Sequence, residues 1–302
     1  MTGRAPQRAG HLVPRKPSGP RRWFGLTPRG AVCSTHSLTI ARNRPADKTH
    51  CAATNTRVRN GGPESAVTSS MKIEIWSDVA CPWCFIGKRR FEAALAAFPH
   101  RDYVDVTWRS YQLDPTLPEH YDGTELEYLS SRKGIPAEQV SAMFGHVAGQ
   151  AKAEGLNYRF DSVVVANSFT AHRLIHLAAA HGKQDAAKER LLSDHFEHGK
   201  DIGSRQYLAS LGVGLGIDPD AVDELFTTDK YADAVRYDFE EGRSLGISGV
   251  PFFVIDRKYG LSGAQPAGTF TAALNQAWQE ANPLVMVNSG DGEACGPDGC
   301  PA

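Results

Sequence analysis

The sequence predicts an α/β protein in which a β-α-β unit and a later β-β-α unit share one sheet, with a long helical insertion between them. Polar–apolar alternation marks Lys72-Ile73-Glu74-Ile75-Trp76 and Val104-Asp105-Val106-Thr107-Trp108 as strands, on either side of a helical run. From about Asp122 to Leu245 the apolar spacing is helical. The compact apolar run Val250-Pro251-Phe252-Phe253-Val254-Ile255 then restores strand character before a last helix.

Each element follows from local signals. After the first strand, Ser77-Asp78-Val79-Ala80 turns the chain, and Cys81-Pro82-Trp83-Cys84 opens a helix that ends at Pro99. Pro82 suits the first helical turn, where its missing N–H costs nothing. Two strands in β-α-β order imply a parallel pair joined by a right-handed crossover. The insertion divides into helices from Pro136 to about Gly155, Asn167 to His181, Asp185 to His198, Ser204 to Leu215, Asp218 to Phe226 and Tyr231 to Leu245. Gly182, Gly203, Gly216 and Gly246 are expected to stop them. Gly260-Leu261-Ser262-Gly263-Ala264 is a short neighbour strand, and Thr269 to Ala281 is the last helix, with Phe270, Leu274 and Trp278 on one face.

The chemistry concentrates at Cys81 and Cys84. A C-x-x-C that follows a strand and opens a helix is a redox arrangement more than a zinc half-site or an inert buried pair. Cys81 at the N-cap faces unpaired backbone N–H groups and the positive end of the helix dipole, which favour thiolate, the attacking species. Cys84, one turn on, is expected to be more buried and to resolve a mixed disulfide. Lys88, Arg89 and Arg90 lie two turns further on and are expected to add only weak, screened support. Trp83 between the cysteines is expected to be exposed and to tune thiol access or touch substrate. Pro251 either heads a strand as an ordinary trans proline or forms a cis-Pro loop that offers the Val250 backbone to an extended substrate.

With these residues in place, the chain resembles the DsbA family of thioredoxin-fold proteins, and within it the FrnE-like branch, neighbouring 2-hydroxychromene-2-carboxylate isomerases and kappa-class glutathione transferases. The resemblance covers about residues 71–302. It is carried by Trp76-Ser77-Asp78, Cys81-Pro82-Trp83-Cys84, Asn167-Ser168-Phe169-Thr170-Ala171-His172 and Ser248-Gly249-Val250-Pro251-Phe252-Phe253. It implies a thioredoxin fold interrupted by a large helical insertion at about 120–246, with Cys81 as nucleophile, Cys84 as resolving thiol and Pro251 as cis-Pro. The isomerase and transferase relatives use Ser where this chain has Cys81, which argues against isomerase chemistry.

A second pair, Cys295 and Cys300, flanks Gly296-Pro297-Asp298-Gly299, a turn-forming run in a flexible tail at 283–302. A tail C-x4-C is similar to that of FrnE-like proteins, so an auxiliary redox pair relaying to Cys81–Cys84 is favoured over incidental thiols or metal ligands. His195 and His198 with Asp194 and Glu197 could present metal ligands on one face, but a solvated helix face is the favoured reading. His172 and His176 are expected to flank a core stripe. Gly212-Val213-Gly214-Leu215-Gly216 follows no strand and reads as a frayed helix end.

Composition bounds the rest. Residues 1–70 carry 12 basic residues against Asp47 and Glu64, a net charge of +10, whereas 71–302 carry a net of −11. The basic segment holds seven Pro, seven Gly and fourteen Ser plus Thr, too little apolar surface to fold. Translation starting at Met71 is its favoured explanation, ahead of a transit segment, and Arg21-Arg22-Trp23-Phe24 lacks the apolar run that twin-Arg export needs. Cys33 and Cys51 are read as incidental. Six cysteines in 302 residues exclude a disulfide scaffold. Apolar runs of four to six residues exclude a membrane helix, which needs roughly 20.

The expected protein is therefore a thiol–disulfide oxidoreductase of 71–282 plus the tail, cytoplasmic, with no cofactor and no metal. Its expected partners are protein or small-molecule thiols and disulfides, glutathione among the candidates, with no nucleic acid, no membrane, and a homodimer compatible. Val250, Pro251, Pro82 and Trp83 are its expected substrate contacts. A glutathione-dependent isomerase or transferase, and a zinc-holding or peptide-binding chaperone-like module, are the alternatives.

Overall fold

A computed structural model describes residues 70–284. Strand β1 (Met71–Ser77) leads into helix α1 (Pro82–Ala96) and strand β2 (Val104–Ser110). Seven helices follow: α2 (Glu125–Lys133), α3 (Ala137–Ala153), α4 (Phe169–Ala180), α5 (Gln184–Phe196), α6 (Arg205–Gly214), α7 (Pro219–Thr227) and α8 (Ala232–Ser244). Strands β3 (Phe252–Ile255) and β4 (Tyr259–Ser262) and helix α9 (Ala267–Ala281) complete the described chain. The expected α/β class and thioredoxin fold with a helical insertion are both present.

The sheet runs β2-β1-β3-β4. β1 and β2 are parallel from Met71↔Val104 to Ser77↔Ser110, as the crossover requires. β3 is antiparallel to β1, with Trp76 opposite Phe252 and Ile73 opposite Ile255. That register places the start of β3 beside the end of β1, so residues just before Phe252 meet residues just after Ser77.

The sequence alternation of β1 suggests one solvated face, yet every residue of the strand except Lys72 is buried. β1 lies inside the sheet, and Glu74 is held by Arg109 at 2.9 Å, with Arg257 as a second partner. Beneath one face, Ile73, Ile75, Phe91, Phe253, Phe270 and Leu274 form a core with α1 and α9. On the other side, Trp76 Nε1 donates to the Asp238 carbonyl at 2.8 Å and fixes α8. The insertion has its own core, including Leu174, Leu191, Leu208, Val222 and Leu225. Area burial on this scale, at about 25 cal/mol per Å², drives both assemblies.

Local chemistry sets the helix limits. Thr124 and Glu127 cap each other's backbone N–H groups at the start of α2. Asp218 accepts from the Asp220 N–H at 2.8 Å ahead of Pro219 in α7. Gly182, Gly216 and Gly246 follow α4, α6 and α8 with φ of 65°, 79° and 77°. Gly203 differs: it precedes α6 and is packed so that a Cβ would lie 2.5 Å from the Glu119 carbonyl oxygen. Residues 1–69 and 285–302, with Cys33, Cys51, Cys295, Cys300 and the twin-Arg stretch, lie outside the described residues.

Candidate active site at the start of helix α1

Cys81 is the N-cap of α1, with extended backbone, and Pro82 is its first residue. Cys84 donates its N–H to the Cys81 carbonyl at 3.0 Å, the first turn of the helix. Both thiols are free and buried, Cys81 at 4 % exposure and Cys84 at 0 %. Only Cys81 borders a cavity of about 360 Å³ that also reaches Pro82, Trp83, Gly249 and Val250.

The Val250–Pro251 peptide bond is cis. Because Trp76 pairs with Phe252, this dipeptide sits at the C-terminal end of β1, against the cysteines. The Cys81 thiol points to the Val250 carbonyl oxygen at 3.6 Å. Tyr158 Oη donates to the Pro82 carbonyl at 2.6 Å, tying the first turn of α1 to the insertion. Phe85, Val147, Leu192 and Phe196 pack around the pair.

The two thiols influence each other's ionisation. A hydrogen bond to Cys84 and then burial push Cys81 well above the ordinary thiol range. Burial opposes charge on Cys84 as well, but the neighbouring Cys81 thiol and the Lys188 ammonium outweigh it and hold Cys84 low. The pair thus loses one proton early and keeps the second, as coupled sites do. Cys81 holds the expected place at the helix start, its sulfur makes no capping hydrogen bond, and the buried Lys188 ammonium lies on the Cys84 side of the pair.

That ammonium was not foreseen. Lys188 on α5 is 1 % exposed, donates to the Ser77 carbonyl at 3.2 Å and lies 5.7 Å from the Trp108 ring centre. Burial lowers it to about 8 against the pull of Cys84 and Asp78. Asp78, between β1 and Cys81, is fully buried and paired with His172 at 3.2 Å. Burial works against its charge, and His172 with the Leu113 N–H still keeps it below the usual carboxylate range. A signal for Lys188 was present, since it shares the helical stripe 188, 191, 192, 195 with Leu191 and Leu192.

His195 ends that stripe. It is 2 % exposed, lines the cavity, and burial lowers it to about 4. The solvated-face expectation therefore fails for His195 and for buried Asp194, which binds Arg190 and Tyr207, and holds for exposed His198. Among the described residues no group of three His, Cys, Asp or Glu is placed to hold a metal. His176 pairs with Asp238 at 2.9 Å, away from the thiols.

One other expectation changes. Trp83 is half-buried, its ring 6.0 Å from that of His146, because α3 covers it. Lys88, Arg89 and Arg90, from which only weak support was expected, are taken up by carboxylates. Lys88 is buried among Glu92, Asp185 and Glu189, Arg89 pairs with Glu189, and Arg90 reaches Glu154, Gln150 and the Ala264 carbonyl. They fasten α1 to the insertion. No helix among the described residues is long and apolar enough to cross a membrane.

Comparisons with known proteins agree with this geometry. A model of the DSBA-like thioredoxin domain matches residues 72–275. A probable DsbA oxidoreductase from Streptomyces coelicolor has a crystal structure 45 % identical, covering 77 % of this chain and 99 % of that one, with a TM-score of 0.67. The uncharacterised protein YwbO of Bacillus subtilis is 26 % identical over 62 % of this chain and 87 % of its own length. A 2-hydroxychromene-2-carboxylate isomerase shares the fold, at 13 % identity over 69 % of this chain and 97 % of that one, with a TM-score of 0.51. With the matched segment spanning β1 to α9, the chain belongs to the family of DSBA-like thioredoxin domains.

Proposed function

We propose that the protein is a thiol–disulfide oxidoreductase that exchanges electrons with protein or small-molecule disulfides through Cys81 and Cys84. The observation that carries this is the asymmetry of the pair: Cys81 borders an open cavity next to Val250–Pro251, and Cys84 is sealed behind it beside Lys188.

The chemistry follows from that asymmetry. As Cys81 attacks a substrate disulfide, its proton passes to the Cys84 sulfur. A Cys81–substrate bond forms, and the first substrate thiolate leaves. That thiolate takes the proton back from Cys84, and Cys84 then attacks Cys81 and expels the second substrate thiolate. The protein ends as the Cys81–Cys84 disulfide, and the substrate has gained two electrons. Run backward, the same steps oxidise a dithiol, so direction depends on reduction potential. Lys188 stabilises the charge that Cys84 carries in this cycle.

A cytoplasmic site of action belongs to the same proposal, since a reducing compartment would keep the pair as a dithiol. Cys295 and Cys300 are proposed as an auxiliary pair relaying to it, with the domain as residues 71–282. Changing both to Ser should then slow recycling while leaving the single-turnover rate at Cys81 unchanged; identical recycling would remove the relay.

Insulin reduction and ribonuclease reoxidation, each run with Cys81→Ser, test the main reading. Loss of both activities is expected. Full activity in that variant would refute the exchange function, and intact turnover in Cys84→Ala with glutathione would point to isomerase or transferase chemistry instead.

A further inference from the structure

We propose that the cavity over Cys81 is a specificity pocket for the uncharged aromatic or aliphatic half of a low-molecular-weight disulfide, and that it rejects anionic thiols such as glutathione. This rests on the exchange function proposed above and names its substrate class. The cavity has about 360 Å³, within the range that encloses small organic ligands. Its walls include Trp83, Leu117, Leu129, Phe144, Val147 and Phe160, with Cys81 and Val250 also facing it. A larger depression of about 750 Å³ along α5 and α6 contains no cysteine and is not lined in this way.

Charge decides which ligand fits. The titratable groups lining the cavity besides Cys81 are Asp78, Asp114, Glu125, Tyr128, Lys133 and His195. Lys133 is the only Lys or Arg among them, and it lies 3.4 Å from Asp114 Oδ2. Asp78 is paired with His172, and burial holds His195 in its neutral form near neutral pH. Glu125 is raised to about 7 by burial alone. A thiol bearing carboxylates would bring charge to a wall that is already acidic, with its one ammonium engaged. An uncharged group loses nothing of the kind and gains apolar burial.

One polar feature remains. The Nδ1 of His195 is buried and has no hydrogen-bond partner. A neutral imidazole leaves one ring nitrogen as an acceptor. Because that nitrogen is closed off from solvent, it brings no charge to the pocket, and recognition falls to the apolar walls.

The reaction balances as above. Cys81 takes one aryl-thio group from a diaryl disulfide, one aryl thiolate leaves, and Cys84 releases the second, so the disulfide gains two electrons and the dithiol loses them.

The test compares bis(4-aminophenyl) disulfide, neutral, against bis(4-carboxyphenyl) disulfide, dianionic. Stopped-flow rates with the reduced full chain are each divided by the rate of the same reagent with dithiothreitol. The pocket predicts a normalised preference of at least about tenfold for the amino compound, roughly one charge placed unfavourably at the transition state. Glu125→Lys should narrow the preference. Leu129→Trp should slow the amino compound about tenfold more than it slows methyl methanethiosulfonate, which is too small to need the pocket. Equal normalised rates, or a preference that Glu125→Lys leaves unchanged, would overturn the proposal. A preference seen only with cystine peptides carrying Phe beside the disulfide would overturn the small-molecule assignment. No reaction with methyl methanethiosulfonate would instead sink the exchange function itself.

Discussion

Lys188 Nζ lies 3.2 Å from the carbonyl oxygen of Ser77, an ammonium sealed inside the protein at the end of the strand that delivers Cys81. Its cost is met by the charges around it. Cys84 and Asp78 both favour its protonated form, and the Trp108 ring offers a cation–π face. The ammonium in turn favours a thiolate within the pair, and this reciprocity can be measured.

Replacing Lys188 with Met should raise the first deprotonation of the Cys81–Cys84 pair by about one unit and slow exchange at pH 7 about tenfold. Thiolate absorbance against pH reads the shift directly. Lys188 loses its charge near pH 8, so the difference between wild type and variant should shrink above that pH. Folding stability should also fall at pH 7, because removing one partner leaves the charge on the other side buried and unpaired. A pH profile identical to wild type would show that the ammonium does not act on the thiols.

His195 predicts acid sensitivity. Its folded value of about 4 lies below the unfolded value of 6.5. The unfolded chain therefore binds the extra proton first, and the stability present above pH 6.5 is lost as pH falls toward 4. At pH 4.5, urea denaturation should show the stability difference between wild type and His195→Leu changed by about 2 kcal/mol relative to pH 7, in favour of the variant. A pH-independent difference would mean that His195 is not held neutral by burial.

Gly87 permits α1 to approach the proline loop: a Cβ there would lie 2.8 Å from Pro251 Cγ and 3.5 Å from Ala264. Gly87→Ala should destabilise the fold by about 1–3 kcal/mol, as overpacking does. It should also lower the exchange rate, because the shift falls on the loop that faces Cys81. Unchanged kinetics together with unchanged stability would show that the loop has room to spare.

Deleting residues 1–69 should leave the single-turnover exchange rate unchanged, since every residue placed at the site follows Met71. A rate that drops with the deletion would assign the basic segment a part in catalysis.

The parts of this architecture that sequence revealed are those written in short windows. The β-α-β start, Cys81 at a helix opening and Val250-Pro251 before a strand each need fewer than about ten residues of pattern. Six of the seven insertion helices were legible for the same reason, with ends displaced by a residue or two, whereas α2 was not singled out. Contacts made across the chain were not legible. Lys188 is separated from Ser77 by 111 positions, and Asp78 from His172 by 94. Lys188 beside Glu189 and Arg190 looks like a charged surface turn until α5 is seen packed against the sheet. The ammonium beside the pair depends on that packing, and so did not follow from helix-dipole reasoning at Cys81.

Trapping of the mixed disulfide reveals which of the two sulfurs substrates reach. Cys84→Ser and Cys81→Ser proteins are each mixed with a substrate disulfide, quenched with acid, and mapped by peptide mass spectrometry. The account predicts a stable adduct on Cys81 in the Cys84→Ser protein and none on Cys84 in the Cys81→Ser protein. An adduct forming on Cys84 at a comparable rate would contradict it, because the sealed thiol would then be the one that substrates reach.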